Sequence, residues 1–178
     1  MKKLLAIMLI LAMCTGHIAF AAEDTETASI QLTIAELFDL VIASSTVSAS
    51  LSGSALQNAY TAGEYEFSAG YPTLSINANE GWYLKVRALN STFSYSGSGS
   101  DPSKPVSDLS MKDAGTSHVA TGWDAYNAIS TSDQTFADHT AGVSAESHPC
   151  QFKVALSETT DIPGTYSLDV RYTLTTTP

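Results

Sequence analysis

The stretch Tyr166-Ser167-Leu168-Asp169-Val170-Arg171-Tyr172-Thr173-Leu174-Thr175 alternates apolar and polar residues without a break. A period of two puts one set of side chains on each side of an extended backbone, so this segment predicts a strand with one face in a core and one in water. The same alternation recurs at Ala28/Ile30/Leu32/Ile34, with Ser29, Gln31 and Thr33 between them, and at Phe152/Val154/Leu156. Leu74/Ile76/Ala78 and Trp82/Leu84/Val86/Ala88 show it on either side of Asn79-Glu80-Gly81, which reads as a β-hairpin with a short glycine-containing loop. Val47/Ala49/Leu51 alternate with serines in the same way. Between Ile34 and Ile42 the Glu and Leu content allows a helical turn, while Phe38/Leu40/Ile42 and the β-branched neighbours favour a strand.

The regions between these runs carry turn chemistry. Tyr95 to Pro105 is a Gly/Ser/Pro loop. Gly115 to His148 is rich in Ala, Ser, Thr and Asp with weak periodicity, and a short helix over Trp123 to Ile129 is the expectation there. Many short strands with turns between them predict an all-β fold, a single immunoglobulin-like antiparallel β-sandwich of about seven to nine strands.

The first residues read differently. Met1-Lys2-Lys3 precedes the apolar run Leu4 to Met13, and Ala19-Phe20-Ala21 supplies a small-x-small cleavage signal. Residues 1–21 are therefore expected to be a signal peptide and 22–178 the β-sandwich domain. A lipoprotein signal fits less well, because Met13 stands where a small residue should precede Cys14. The whole chain carries eight Lys and Arg against eighteen Asp and Glu. The expected mature part loses Lys2 and Lys3 and no acid, leaving six against eighteen, net −12. Such a surface excludes nucleic acid as a partner, since phosphate binding needs basic residues. After Ala22 no run approaches the ~20 apolar residues of a spanning helix, so an integral membrane protein is not expected. Cys150 is the one mature cysteine, and stability must come from the core.

Mature Ser and Thr number 43 of 157 residues and fill the outward strand positions that charges often take. No Gly-x-Ser-x-Gly elbow occurs, and His118, His139 and His148 are not spaced as a helical metal pair or a zinc finger. His148 with Cys150 can be read as a shared site, or as a loop histidine beside a small buried thiol that opens the strand from Cys150. The residues favour the second reading, and no enzyme is expected. Asp101, Asp108, Asp113, Asp124, Asp133 and Asp138 fall mostly in expected loops. They are spread rather than clustered, which favours solvation over a Ca2+ site; no other cofactor is indicated. Trp82 is in phase with Leu84 and Val86 and belongs to the core. Trp123, in Gly122-Trp123-Asp124, is the candidate exposed aromatic for stacking on a sugar.

Gly81-Trp82-Tyr83-Leu84, with Pro163-Gly164-Thr165-Tyr166-Ser167 and the final Tyr172-Thr173-Leu174, resembles the WxL-domain surface proteins of Gram-positive bacteria. In that family a Trp-x-Leu after an early strand is followed by a second one in the last strand. Here Trp82 and Leu84 match the first, and Tyr172 with Leu174 stands at the second, Tyr replacing Trp. The terminal Gly-Thr-Tyr strand also resembles the last strand of fimbrial and spore-coat-U-like subunits. The resemblance implies non-covalent attachment to a cell-envelope component, with polysaccharide or peptidoglycan among the possible partners. The expected role is a secreted or cell-surface structural or adhesive protein. An alternative is a fibre or pilus subunit in which Ala28, Ile30, Leu32 and Ile34 donate a strand to another copy. That segment equally suits a strand of its own sandwich. A carbohydrate-binding module using Trp123 is a third reading.

Overall fold

The computed structural model describes residues 29–178; the expected signal peptide and Ala28 lie outside the described residues. The chain divides into two compact units, one ending at Ile34 and the other running from Ala35 to Pro178. In the first, residues 29–34 take no regular secondary structure, and Ile30, Leu32 and Ile34 are 93%, 80% and 75% exposed. Over residues 29–34 the half-buried strand expected from Ala28/Ile30/Leu32/Ile34 is therefore not formed. Alternation gives a segment the capacity to bury one face, but a strand also needs a partner for its backbone.

The second unit is an all-β sandwich with one short helix. Its elements are β1 (Phe38–Ala43), α1 (Gly53–Ala62), β2 (Glu64–Glu66), β3 (Thr73–Ala78), β4 (Trp82–Ala88) and β5 (Ser94–Ser96), then β6 (Leu109–Asp113), β7 (Asn127–Ala128), β8 (Gln134–His139), β9 (Val143–Ala155), β10 (Thr165–Ser167) and β11 (Val170–Thr175). Seven of the strands have five residues or more, and the other four are short extensions. All pairings are antiparallel. One sheet runs β1-β3-β9-β6-β7, with β2 on the C-terminal half of β9; a second runs β11-β4-β8, and β10 and β5 form a separate two-stranded pair.

Alternation places the core. In β4, Trp82, Leu84, Val86 and Ala88 are buried, and in β3 Leu74, Ile76 and Ala78 oppose them from the other sheet. Leu109 and Met111 of β6, Cys150 and Phe152 of β9 and Phe136 of β8 complete the centre. Each of these larger side chains contributes about 1.5–3 kcal/mol on burial. The β-hairpin expected over 74–88 is not formed. β3 pairs with β1 and β9 while β4 pairs with β11 and β8, so Asn79-Glu80-Gly81 crosses from one sheet to the other. Each strand has one strongly apolar face, and these two faces meet across the core rather than side by side in one sheet. Asn79 fixes the crossing: its side chain accepts from Leu37 N–H at 2.8 Å and donates to the Ala35 carbonyl at 2.8 Å.

Phe38–Ala43 is a strand, as its β-branched content predicts. Residues 44–52 are not; Ser44 turns the backbone into the left-handed region at φ 64°, and Ala49 is exposed. The following helix α1 was not anticipated by the alternation. It ends at Gly63, whose φ of 71° lets its N–H cap the carbonyls of Ala59 and Tyr60. Residues 121–125 form turns rather than the expected helix and lead into β7. No helix is long and apolar enough to cross a membrane among the described residues.

Candidate functional site

Three histidines and two carboxylates gather at one end of the sandwich. The inward face of β9 carries Glu146, His148, Cys150 and Phe152, two residues apart each time, so the phase that buries Phe152 also buries His148. On β6 the inward phase of Leu109 and Met111 continues to Asp113. The two strands pair in register with Asp113 opposite Cys150. His148 is fully buried, and its Nδ1 lies 2.6 Å from Asp113 Oδ2. Asp113 Oδ1 accepts Gly115 N–H at 2.7 Å, which fixes the carboxylate. His148, expected in a loop, and Asp113, one of six acids expected mostly in loops, each occupy a core position of a strand.

The cluster continues towards solvent. His148 Nε2 is 3.5 Å from Glu146 Oε1 and makes no hydrogen bond. The same Oε1 lies 2.6 Å from Nδ1 of His118, whose ring stacks on His139 with centroids 3.7 Å apart. Trp82 forms one wall, edge-on to His148 at 5.9 Å and to His118 at 6.3 Å. Two residues here hold left-handed backbone without being glycine: His118 at φ 52° and Ala145 at φ 53°. Ala145 lies where the β3–β9 register shifts, and its N–H is held by Asn77 Oδ1 at 2.8 Å. Such conformations cost about 1–3 kcal/mol and persist where the surroundings impose them. Above the cluster a groove of about 530 Å3 opens between residues 114–118 and 143–149. Thr116, Ser117, Ser144 and Ser147 line it beside His118 and Glu146.

Among the described residues the side-chain partners of these imidazoles are carboxylates. The Cys150 thiol turns away and donates to the His148 carbonyl. Burial above all pushes that thiol up to about 12; the neighbouring Tyr172 hydroxyl opposes the rise, and the Asp113 charge adds a lesser push. It is a protonated, inert group at neutral pH. No set of three His, Cys, Asp or Glu among the described residues could hold a metal ion. The acids read as a Ca2+ alternative are dispersed: Asp113 pairs with His148, Asp108 with Lys104 and Asp133 with Arg87.

The residues of the two Trp-x-Leu-like elements share one strand pair. Leu84 lies opposite Leu174 and Val86 opposite Tyr172, with Trp82 and Leu84 fully buried. Tyr172 hydroxyl donates to the Met111 sulfur at 3.4 Å, crossing to the other sheet. Trp123 is not an exposed aromatic. It is 6% exposed and packs edge-on against Phe136 at 5.2 Å. Its turn folds inward because Trp123 O accepts Asp113 N–H at 2.8 Å, which draws the indole over the core. No protein-family model matches the chain, and no curated protein matches it either.

Proposed function

We propose that the protein is a secreted or cell-surface, non-enzymatic sandwich with a structural or adhesive role in a bacterial envelope, and that the hydroxyl-lined groove over His118 and Glu146 is its binding face. The observation that carries this reading is the way the cluster is tied. Asp113 engages His148 and Glu146 engages His118, so the imidazoles are held by carboxylates and not by a hydroxyl or thiol nucleophile. Ser and Thr line the open surface above them, a surface suited to hydrogen-bonded contact with a polar polymer such as a polysaccharide or peptidoglycan. Trp123 is in the core, so this reading assigns glycan contact to the groove and not to a stacking tryptophan. Fractionation with sedimentation on purified cell walls tests the reading. Retention by the walls that falls at least tenfold in Glu146→Gln is expected; a protein confined to the cytoplasm, or one ignored by walls, overturns it.

A second reading, a fibre subunit assembled by strand donation, is favoured by one observation. Ile30, Leu32 and Ile34 alternate in sequence and are exposed, while the hydrophobic residues packed against the described core begin only at the partly buried Phe38. Deleting residues 22–34 tests it: loss of polymer with a folded monomer supports donation, and an unfolded monomer refutes it.

A further inference from the structure

Lys104 is the buried lysine of the described chain, 4% exposed, in the turn before β6. Its Nζ lies 2.9 Å from Asp108 Oδ2, 2.7 Å from the Ala155 carbonyl, and 3.0 and 2.9 Å from Oδ1 and Oδ2 of Asp161. Asp161 is itself 8% exposed. Its Oδ2 also accepts Ser157 N–H at 2.9 Å, and its own N–H is bound to Ser157 O at 2.8 Å, so the carboxylate is locked in a tight turn. Near-equal distances to both oxygens hold Nζ in front of the carboxyl group, roughly 3–3.5 Å from Cγ and so within the distance range of a near-attack pair. Four elements of an acyl transfer therefore meet here: an amine, a carboxyl carbon, a backbone N–H on one carboxyl oxygen, and a second carboxylate against the amine.

We propose that Lys104 and Asp161 condense into an intramolecular amide, an isopeptide cross-link, with Asp108 as the proton carrier. The Lys104 ammonium first passes a proton to Asp161 Oδ1, which leaves a neutral amine and a neutral acid. The amine lone pair attacks Cγ; the Nζ–Cγ bond forms and the C=O pair moves onto Oδ2, where Ser157 N–H receives the charge. Asp108 takes a proton from the cationic nitrogen and returns it to the Oδ1 hydroxyl; the pair on Oδ2 then re-forms the C=O bond as the Cγ–Oδ1 bond breaks and water leaves. Ammonium plus carboxylate becomes amide plus water, no electron is gained or lost, and Asp108 is regenerated. Burial supplies the driving force, because an ion pair out of water carries a desolvation cost for each charge and the amide removes both. The side chain of Asp108 is 29% exposed, which gives the departing water a route out. The product closes a covalent ring over residues 104–161 that contains β6 to β9, in a chain whose one described cysteine is free.

Intact-mass measurement of the denatured full-length protein, referred to its measured N-terminus, tests this directly. The expected mass is one water below the sequence mass, and peptide mapping should yield a branched peptide joining Lys104 to Asp161. Lys104→Arg keeps a cation but cannot form the bond, and should show the full mass. Asp108→Ala should leave at least tenfold more unreacted chain at equal times. A wild-type protein at full mass overturns the cross-link, and so does a missing water accompanied by linear Lys104 peptides. Reaction of Asp108→Ala at the wild-type rate removes Asp108 from the role assigned to it.

Discussion

Raising the pH should unfold this protein through its buried thiol. Cys150 is fully buried, and its pKa rises from an ordinary 9.0 to about 12, with burial as the main cause. The folded state thus keeps its proton up to about pH 12, while the unfolded chain releases it from pH 9. Between those values the unfolded state binds fewer protons, so stability falls as pH rises; below pH 9 the contribution is fully present. One proton corresponds to about 1.4 kcal/mol per pH unit, or about 3 kcal/mol lost by pH 11. Set against a typical 5–15 kcal/mol, that is enough to bring an alkaline midpoint into view. Tyr172 is also pushed well above the phenol range, by burial first and then by Cys150, and adds to the same trend. The assay is urea unfolding from pH 7 to 11 on the wild type and on Cys150→Ala. The variant should start about 1 kcal/mol less stable for its small cavity and then decline less steeply above pH 9. Parallel curves would refute the reasoning. So would alkylation of the folded protein at pH 8 at the rate of a free thiol, because a shift of this size lowers the thiolate share about a thousandfold.

Asp113→Ala leaves the buried His148 ring without its hydrogen-bond partner and should cost about 1–3 kcal/mol in urea unfolding, whereas Arg87→Ala, which breaks an exposed pair with Asp133, should change stability by less than about 1 kcal/mol. Gly142→Ala would place a methyl 2.7 Å from the Ala78 carbonyl and 2.9 Å from Asn79 backbone atoms, a clash expected to destabilise by about 1–3 kcal/mol. At Gly70, where nothing lies within 4 Å, alanine meets only the left-handed backbone at φ 76° and should cost about 1 kcal/mol; equal thermal shifts for the two glycines would refute the distinction. Leu84→Ala, at a site with no exposure, should lower stability by about 2–5 kcal/mol by chemical denaturation.

Alternation in sequence carried the buried faces of β3, β4 and β9, because the pleat sends every second side chain the same way, whereas the same alternation at residues 29–34 and 47–51 forms no strand. It read Trp82, Leu84 and Val86 into the core and Phe152 onto an inward face, and both assignments agree with the structure. It could not say which strand lies beside which, since the same apolar face is needed for a hairpin and for a crossing between sheets; that ambiguity produced the hairpin at Asn79-Glu80-Gly81. Trp123 lies in a turn with no periodicity, and only its tertiary contact with Phe136 buries it. The histidine–carboxylate cluster joins residues 35 positions apart and was missed. A signal for it existed: carrying the inward phase of Phe152 and Cys150 back by twos reaches His148 and Glu146, and carrying Leu109 and Met111 forward reaches Asp113. Polar residues in a core phase call for partners.

The crossing between β3 and β4 also bears on when the fold can exist. Of the strand pairings, only β6 with the two-residue β7 joins neighbours in chain order. β4, whose inward side chains include fully buried Trp82, Leu84 and Val86, finds its long partner in β11, near residue 175. A chain emerging from its N-terminus therefore cannot complete the pairing of β4 until β11 arrives, and pairings between segments so far apart are slow to form. Such a polypeptide stays open and threadable until the segment that forms β11 has been made.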